Sequence, residues 1–529
     1  MSQKNILCSK LSSGKYSCSI NLSGKIGIYT ASTAPIVMPI NTYNDYSQEG
    51  PTDYYYTDKM KECLSAGFIY IYAGCRGVAQ YDSNKFGAPW GVTDLKAAIR
   101  YIRYNSNLIP GDMNSIFSFG HSSGGALSCL LGITGDSNLF TEYLNNIGAA
   151  MEYDNGTYIS DVIKGSQCWC PITNLDTADM AYEWNIGQYF TTESRALGTF
   201  TQKLSEFLVL NYINYINDLK LKDEKENILS LSTTTANYGS YYDYLKSVIE
   251  TSLNNFVSDT TFPYTNDGYD DNGNYISRTY ATVSDYMNYL NSDEAWVHYN
   301  SSTNTYFITD IGSFVKKCKY PIKEVPAFDH YNYNNIENSL FGVESKTKVH
   351  FDNNIKNILQ NYDWELSGLN NYAYYYKYDY QNDIYNERDS LGNTVEHRAN
   401  MYNPMYYICN YYSGYKSSKV ASYFRINSGI TQGETSNCVE MNLALALTNL
   451  KKNVEFTTVW DKGHVEAERG NNNSTFNFIS WVNKCMNISG DQKLNPDYSN
   501  NGNLDTISNN NYYTKINKKY IIFIWFLLL

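Results

Sequence analysis

The sequence predicts a mostly parallel α/β sheet with helices on both faces and one long insertion between its halves. Three observations carry that reading. Apolar strand-like runs alternate with helical periodicity over residues 1–190, and the same rhythm resumes over 416–487. Such alternation builds parallel sheets, because parallel neighbours must be joined by a crossover, usually a helix. Between these halves, residues 191–415 mix helical stretches with polar, Tyr- and Asn-rich segments and show no repeat of fixed period, so they read as an inserted lid. The 529 residues could fill roughly three or four average domains, but one α/β unit with insertions also reaches this length.

The elements follow in order. Residues 24–40 and 66–74 read as apolar strands, the second bounded by glycines. Residues 92–104 carry apolar positions at helical spacing, with Asp94 near the start and Arg100 and Arg103 near the end. A short strand, Ser115 to Phe119, runs into Gly120-His121-Ser122-Ser123-Gly124-Gly125 and then into a helix-compatible run of small and apolar residues. Another strand spans Ser166 to Ile172. Beyond the insertion come a strand at 419–427, a helix at about 438–451, a strand at 453–460, the loop 461–470 and a last helix at about 474–485. From 488 onward the chain is Asn- and Asp-rich and reads as disordered.

Composition excludes several classes. The chain is 43% hydrophobic, enough for a sizeable core. Its 41 Lys and Arg against 53 Asp and Glu give a net charge of −12, which argues against a nucleic-acid partner needing a basic face. The eleven cysteines are scattered, without the paired CxxC spacing of a zinc ribbon, and Cys168 and Cys170 read as buried thiols. The first twenty residues hold no apolar stretch of signal-peptide length, so a cytoplasmic protein is expected, or a secreted one if the true start lies elsewhere. The nine apolar residues 521–529 fall short of the roughly 20 a membrane helix needs, so no transmembrane helix is expected. Tyrosine, at 53 residues, reads first as compositional background and second as a surface for aromatic ligands.

Chemistry concentrates at Gly120-x-Ser122-x-Gly124. A serine on a tight strand-to-helix turn stands clear of the backbone, and the turn aims the amide of Ser123 at the place where an oxyanion would form. A serine hydroxyl needs a base, and of the six histidines only His464 lies in a loop between a late strand and the final helix. His121, beside the serine, is expected to point elsewhere. For the acid, Glu434 is the sole carboxylate in the loop after strand 419–427, with Asp176 and Asp461 as alternatives. A second oxyanion donor is expected in Ala73-Gly74-Cys75-Arg76-Gly77, from the amide of Cys75 or Arg76.

These motifs resemble the bacterial-type tannases and related feruloyl-esterase-like α/β-hydrolases. The resemblance covers roughly residues 25–487 and rests on AGCRG (73–77), GHSSGG (120–125), CPITNLDTADMAYEW (170–184), VPAFD (325–329), ENSLFG (337–342), RINSGITQGET (425–435) and VWDKGH (459–464). It implies the α/β-hydrolase fold and serine acyl transfer on esters of gallic acid or similar phenolic acids, with neither metal nor cofactor. Ser122 would be the nucleophile and His464 the base, with Lys323 and Glu337 holding the phenolic hydroxyls. One departure stands out. The family loop carries two aspartates, the first of them the triad acid, and here those places hold Gln432 and Glu434. Either Glu434 has taken over as acid or the triad is weakened. The leading expectation is a serine carboxylesterase acting on a small aromatic ester; the alternatives are a serine peptidase of the same fold and a binding module with a weakened site. Oligomeric state is not readable from the sequence.

Overall fold

The structure, a computed structural model, describes residues 6–10, 16–20, 24–49, 57–78, 87–234, 237–269, 275–470, 473–487 and 524–526. A strand covered on both faces favours apolar residues along its length, and IVMPI fits: every residue of β1 (Ile36–Ile40) is buried. Around it lie β2 (Ile69–Ala73), β3 (Ile116–His121), β4 (Gly165–Trp169), β5 (Tyr423–Gly429) and β6 (Asn453–Val459). With β7 (Ile524–Phe526) they form a seven-stranded sheet of order β6-β5-β4-β3-β1-β2-β7. All neighbours are parallel except β7, which pairs antiparallel with β2 at the edge. Side chains alternate between two cores. Ile36, Met38 and Ile40 enter one and Val37 the other; Ile116 enters the first, Phe117 and Phe119 the second. Each fully buried side chain of this kind contributes ~1.5–3 kcal/mol.

The helices of nine or more residues are, in chain order, α1 (Thr57–Ser65), α2 (Trp90–Tyr104), α3 (Ser123–Ile133) and α4 (Leu175–Asn185), then α5 (Phe200–Leu219), α6 (Ser240–Asp259), α7 (Asn353–Asn361) and α8 (Ala373–Asn386). After the insertion come α9 (Asn437–Asn449) and α10 (Ser474–Cys485). Cys63 of α1 and Phe478, Trp481 and Val482 of α10 cover one face of the sheet. The residues of α2, α3, α4 and α9 fill the other face, in a core continuous with the buried side chains of α5 to α8. Tyrosines knit the two parts together. The Tyr212 and Tyr241 hydroxyls lie 2.9 Å apart, Tyr241 donates to Asn442 Oδ1 of α9 at 2.7 Å, and Trp460 Nε1 donates to the Tyr286 hydroxyl at 2.9 Å.

Two expected strands are shorter than the sequence suggests. Within 24–40, Gly27 at φ +59° reverses the chain between Lys25–Ile26 and Tyr29–Thr30, so the sheet strand begins at Ile36. The strand expected over 166–172 stops at Trp169, because Cys170 takes φ +42° and Pro171 has no amide to give. The disorder expected from 488 onward lies outside the described residues, apart from 524–526. Among the described residues no helix is long and apolar enough to cross a membrane.

Beneath α2 lies a buried charge cluster. Lys96 Nζ donates to Asp161 Oδ1 at 2.6 Å and to the Thr134 carbonyl at 2.7 Å, while Arg100 Nε donates to Asp161 Oδ2 at 2.8 Å. Burial would raise the Asp161 carboxyl, but Lys96 and Arg100 together hold it below the ordinary carboxylate range.

Candidate active site

Strand β3 ends at His121 and α3 begins at Ser123, so Ser122 alone makes the corner, with φ +60° and ψ −126°. Such a backbone costs a non-glycine residue about 1–3 kcal/mol and persists only where its surroundings hold it. Here the Ser122 amide donates to the Trp169 carbonyl at 3.0 Å, and the Ser122 carbonyl accepts from Ala126 at 3.0 Å. The flanking glycines are sterically required. A Cβ on Gly120 would sit 2.3 Å from the Gly124 carbonyl oxygen, and one on Gly124 would sit 2.3 Å from that of Ile40. Gly124→Ala is therefore expected to cost ~1–3 kcal/mol of stability by overpacking. It should also lower turnover about 10²-fold by displacing the serine. An assay in which Gly124→Ala matches wild type would contradict this close approach.

The loop after β6 brings His464 to the serine. His464 Nε2 lies 2.8 Å from Ser122 Oγ, and His464 Nδ1 lies 2.8 Å from Gln432 Oε1. The Cys170 thiol ties the two loops together, accepting from the Gly429 amide at 3.3 Å and donating to the Val465 carbonyl at 3.2 Å. Burial, then the neighbouring His121 and the Lys323 ammonium, push His464 down to about 3. It therefore rests neutral, as a base must.

The acid differs from expectation. Glu434 does not hold His464 Nδ1; Gln432 occupies that place, and Glu434 Oε2 accepts from its own loop at the Gly433 amide, 3.2 Å away. The alternatives are engaged elsewhere. Asp176 accepts from Asn403 and Tyr412, and Asp461 accepts from Tyr264 and Asn266. A carboxylate does stand one step behind the glutamine. Gln432 Nε2 donates to Glu440 Oε1 of α9 at 2.8 Å and to Ser428 Oγ at 2.9 Å. Lys319 Nζ donates to the Gln432 carbonyl at 2.8 Å. Burial raises Glu440 to about 7, with Ser428, Gln432, Lys319 and Asn437 pulling the other way. In the sequence Glu440 looks like an ordinary first-turn helix charge, and only its complete burial in the fold sets it apart.

The second oxyanion donor also differs from expectation. The Cys75 amide donates to the Gln48 carbonyl at 2.9 Å, and the Arg76 amide donates to Asp94 Oδ2 at 2.8 Å, so neither is free. The loop beside the elbow is instead the one after β1, because β1 and not β2 pairs with β3. Thr42 and Asp45 of that loop grip the residue after the nucleophile. Ser123 Oγ donates to the Thr42 carbonyl and accepts from the Asp45 amide at 3.1 Å. The Ser123 amide itself opens α3, where a helix leaves its amides without intrahelical acceptors.

Lys323 and Glu337, fourteen positions apart, meet in the fold. Lys323 Nζ lies 3.1 Å from Glu337 Oε1 and 3.9 Å from the centre of the Phe328 ring. The Tyr182 hydroxyl accepts from the Lys323 amide at 3.3 Å and donates to the Gly433 carbonyl at 2.9 Å, which docks this segment against the Gln432 loop. A further acid, Asp45, escaped the sequence reading. Burial and the nearby Glu337 raise it to about 7 against the opposing pull of Lys323 and Ser123. His121, Cys170 and His464 present ligand-type atoms within 4.8 Å of one another. Both His464 nitrogens and the Cys170 thiol are already engaged, however, and burial pushes that thiol far above its ordinary value.

The parallel sheet, the strained serine corner and a neutral histidine against it define a serine hydrolase of the α/β-hydrolase fold. Residues 30–220 match the BD-FAE family model. Among solved structures, the tannin acyl hydrolase from Lactobacillus plantarum is similar at 24% identity, covering 89% of this chain and 89% of its own, with a TM-score of 0.66. The Fusobacterium nucleatum tannase is similar at 26% identity, covering 87% of this chain and 88% of that one, with a TM-score of 0.66. A tannin acyl hydrolase in complex with ethyl gallate is similar at 24% identity over 88% of this chain and 87% of its own, with a TM-score of 0.63. Among curated protein sequences none matches.

Proposed function

We propose that this protein hydrolyses carboxylic esters of phenolic acids, galloyl esters first among them, through an acyl-enzyme on Ser122. The observation that carries this reading is the 2.8 Å contact from Ser122 Oγ to His464 Nε2, with the Lys323–Glu337 pair close by. As Ser122 Oγ attacks the ester carbonyl, its proton passes to His464 Nε2. The tetrahedral oxyanion then accepts from the Ser123 amide and from an amide of the 41–45 loop. Collapse expels the alcohol, which takes the proton from His464, and water repeats the sequence to release the acid.

The acyl group's ring would sit where Lys323 and Glu337 meet. A carboxylate accepts hydrogen bonds from phenolic hydroxyls and an ammonium donates to their oxygens, so the pair suits adjacent phenols. The tannin acyl hydrolase solved with ethyl gallate supports a galloyl ring as the acyl group. The 191–415 insertion, which supplies Lys323 and Glu337, acts as the lid in this scheme.

Hydrolysis of methyl gallate, methyl ferulate and 4-nitrophenyl acetate, with Ser122→Ala as the blank, tests the proposal. Preference for methyl gallate is expected, and silence on all three from folded protein would overturn it. Lys323→Ala is expected to raise KM for methyl gallate by about 10- to 100-fold, the worth of a hydrogen bond to a charged group. Its KM for the acetate should stay unchanged, and an equal rise for both esters would remove Lys323 from ring recognition.

A further inference from the structure

Resting on the reading of Ser122 as nucleophile and His464 as base, we propose that Glu440 is a positioning residue that acts on the base through the Gln432 carboxamide. A triad carboxylate does two things: it fixes the histidine tautomer and it stabilises the imidazolium that forms. Gln432 carries no charge and can face His464 with either its oxygen or its nitrogen. Something must choose between the two.

The hydrogen bonds behind Gln432 make that choice. Ser428 Oγ accepts from Gln432 Nε2 at 2.9 Å and from Asn437 Nδ2 at 2.8 Å, which uses both of its acceptor positions. Its single proton therefore goes to Glu440 Oε2, and the other carboxylate oxygen, Oε1, accepts from Gln432 Nε2 at 2.8 Å. Both oxygens of Glu440 accept in its ionised form, which the Lys319 ammonium and the Ser428 hydroxyl favour against the burial that raises it to about 7, and it is this form that selects the carboxamide orientation. The opposite orientation of Gln432 would set its oxygen against that carboxylate, with no proton between them. Glu440 thus holds the Gln432 nitrogen, which leaves Oε1 facing His464. An oxygen at 2.8 Å from His464 Nδ1 requires the proton on Nδ1, and that leaves Nε2 bare against the Ser122 hydroxyl. The buried charge of Glu440 also polarises the carboxamide so that negative character builds on Oε1, where the imidazolium forms. No step of this chain requires Gln432 to ionise.

Exchanging the two functional groups tests the assignment. Glu440→Gln keeps the shape and removes the charge. Gln432→Glu with Glu440→Gln restores one carboxylate and one amide in reversed order, with the charge now directly on His464. Glu440→Gln is expected to lower kcat on methyl gallate or 4-nitrophenyl acetate about 10²-fold with KM unchanged, below the full loss of a direct triad acid because Gln432 remains in place. The double variant is expected to regain kcat to within about tenfold of wild type, since a direct carboxylate meets the same requirement. A Glu440→Gln enzyme within threefold of wild type overturns the proposal. So does a folded double variant as impaired as the single one, because a purely structural Glu440 would gain nothing from the exchange. Should Glu440→Gln fail to fold, the double variant carries the test alone. Wild type that neither hydrolyses an ester nor reacts with a fluorophosphonate would instead sink the esterase reading, so the two failures are distinguishable.

Discussion

Ser122→Ala is expected to lower ester hydrolysis by a factor of about 10⁴ or more while leaving the fold intact. The loss is large because Ser122 Oγ is the only hydroxyl within hydrogen-bond reach of His464 Nε2 among the described residues. The fold survives because Ser122 spends its backbone, not its side chain, on structure. Its amide is held by Trp169 and its carbonyl by Ala126, and alanine tolerates φ +60° about as poorly as serine does. Binding should persist, since Lys323, Glu337 and the Phe328 ring are untouched. Three measurements check this: turnover on methyl gallate, labelling by a fluorophosphonate and the thermal unfolding midpoint. The expected outcome is no turnover, no label and an unchanged midpoint. Full activity would remove the elbow from the mechanism.

The parts of this site that could be read in the sequence were those encoded locally. A strand buried on both faces favours an apolar run, so β1 and β2 show as such runs, whereas β4 (GSQCW) and the edge strand β6 (NVEFTTV) carry polar residues. A serine corner needs glycines where backbones touch, so Gly120 and Gly124 mark it. His464 was legible because a loop between the last parallel strand and the last helix must open at the carboxyl edge of the sheet, where the elbow also opens. The sequence points to the wrong oxyanion loop for a topological reason. Residues 73–77 precede the elbow more closely in the chain, but β1 lies between β2 and β3 in the sheet, so the 41–45 loop reaches Ser123 first. Glu434 stands out in the sequence as the acid because it is the sole carboxylate of the loop after β5. The fold turns that side chain toward its own backbone and places a neutral glutamine on the base, backed by a helix residue that no local spacing could reveal. Among the tyrosines, the Tyr241 hydroxyl joins the insertion to α9 through Asn442, and the Tyr286 hydroxyl joins it to Trp460 just after β6.

Asp161→Asn is expected to destabilise the folded protein by ~3–5 kcal/mol, the cost of leaving buried charge without its counter-ion. Asp161 and Lys96 side chains are 0% exposed and Arg100 is 1% exposed, so water cannot replace the lost carboxylate. After the substitution no anion faces Lys96, which keeps the Thr134 carbonyl and a neutral carboxamide oxygen as acceptors, and Arg100 keeps the Ile159 carbonyl, the Tyr158 hydroxyl and Asp136 at 4.0 Å. Thr134 caps α3, the helix that opens at Ser123, so the cluster braces the far end of the element carrying the Ser123 amide. The effect should therefore appear in stability before it appears in chemistry: a lower denaturation midpoint, with turnover per folded molecule near wild type at low temperature. Adding Lys96→Met to Asp161→Asn removes one of the two stranded cations and should recover part of the loss, because the penalty belongs to the charge and not to the packing. An Asp161→Asn cost below ~1 kcal/mol, the range of solvent-exposed pairs, would mean that water reaches these groups after all.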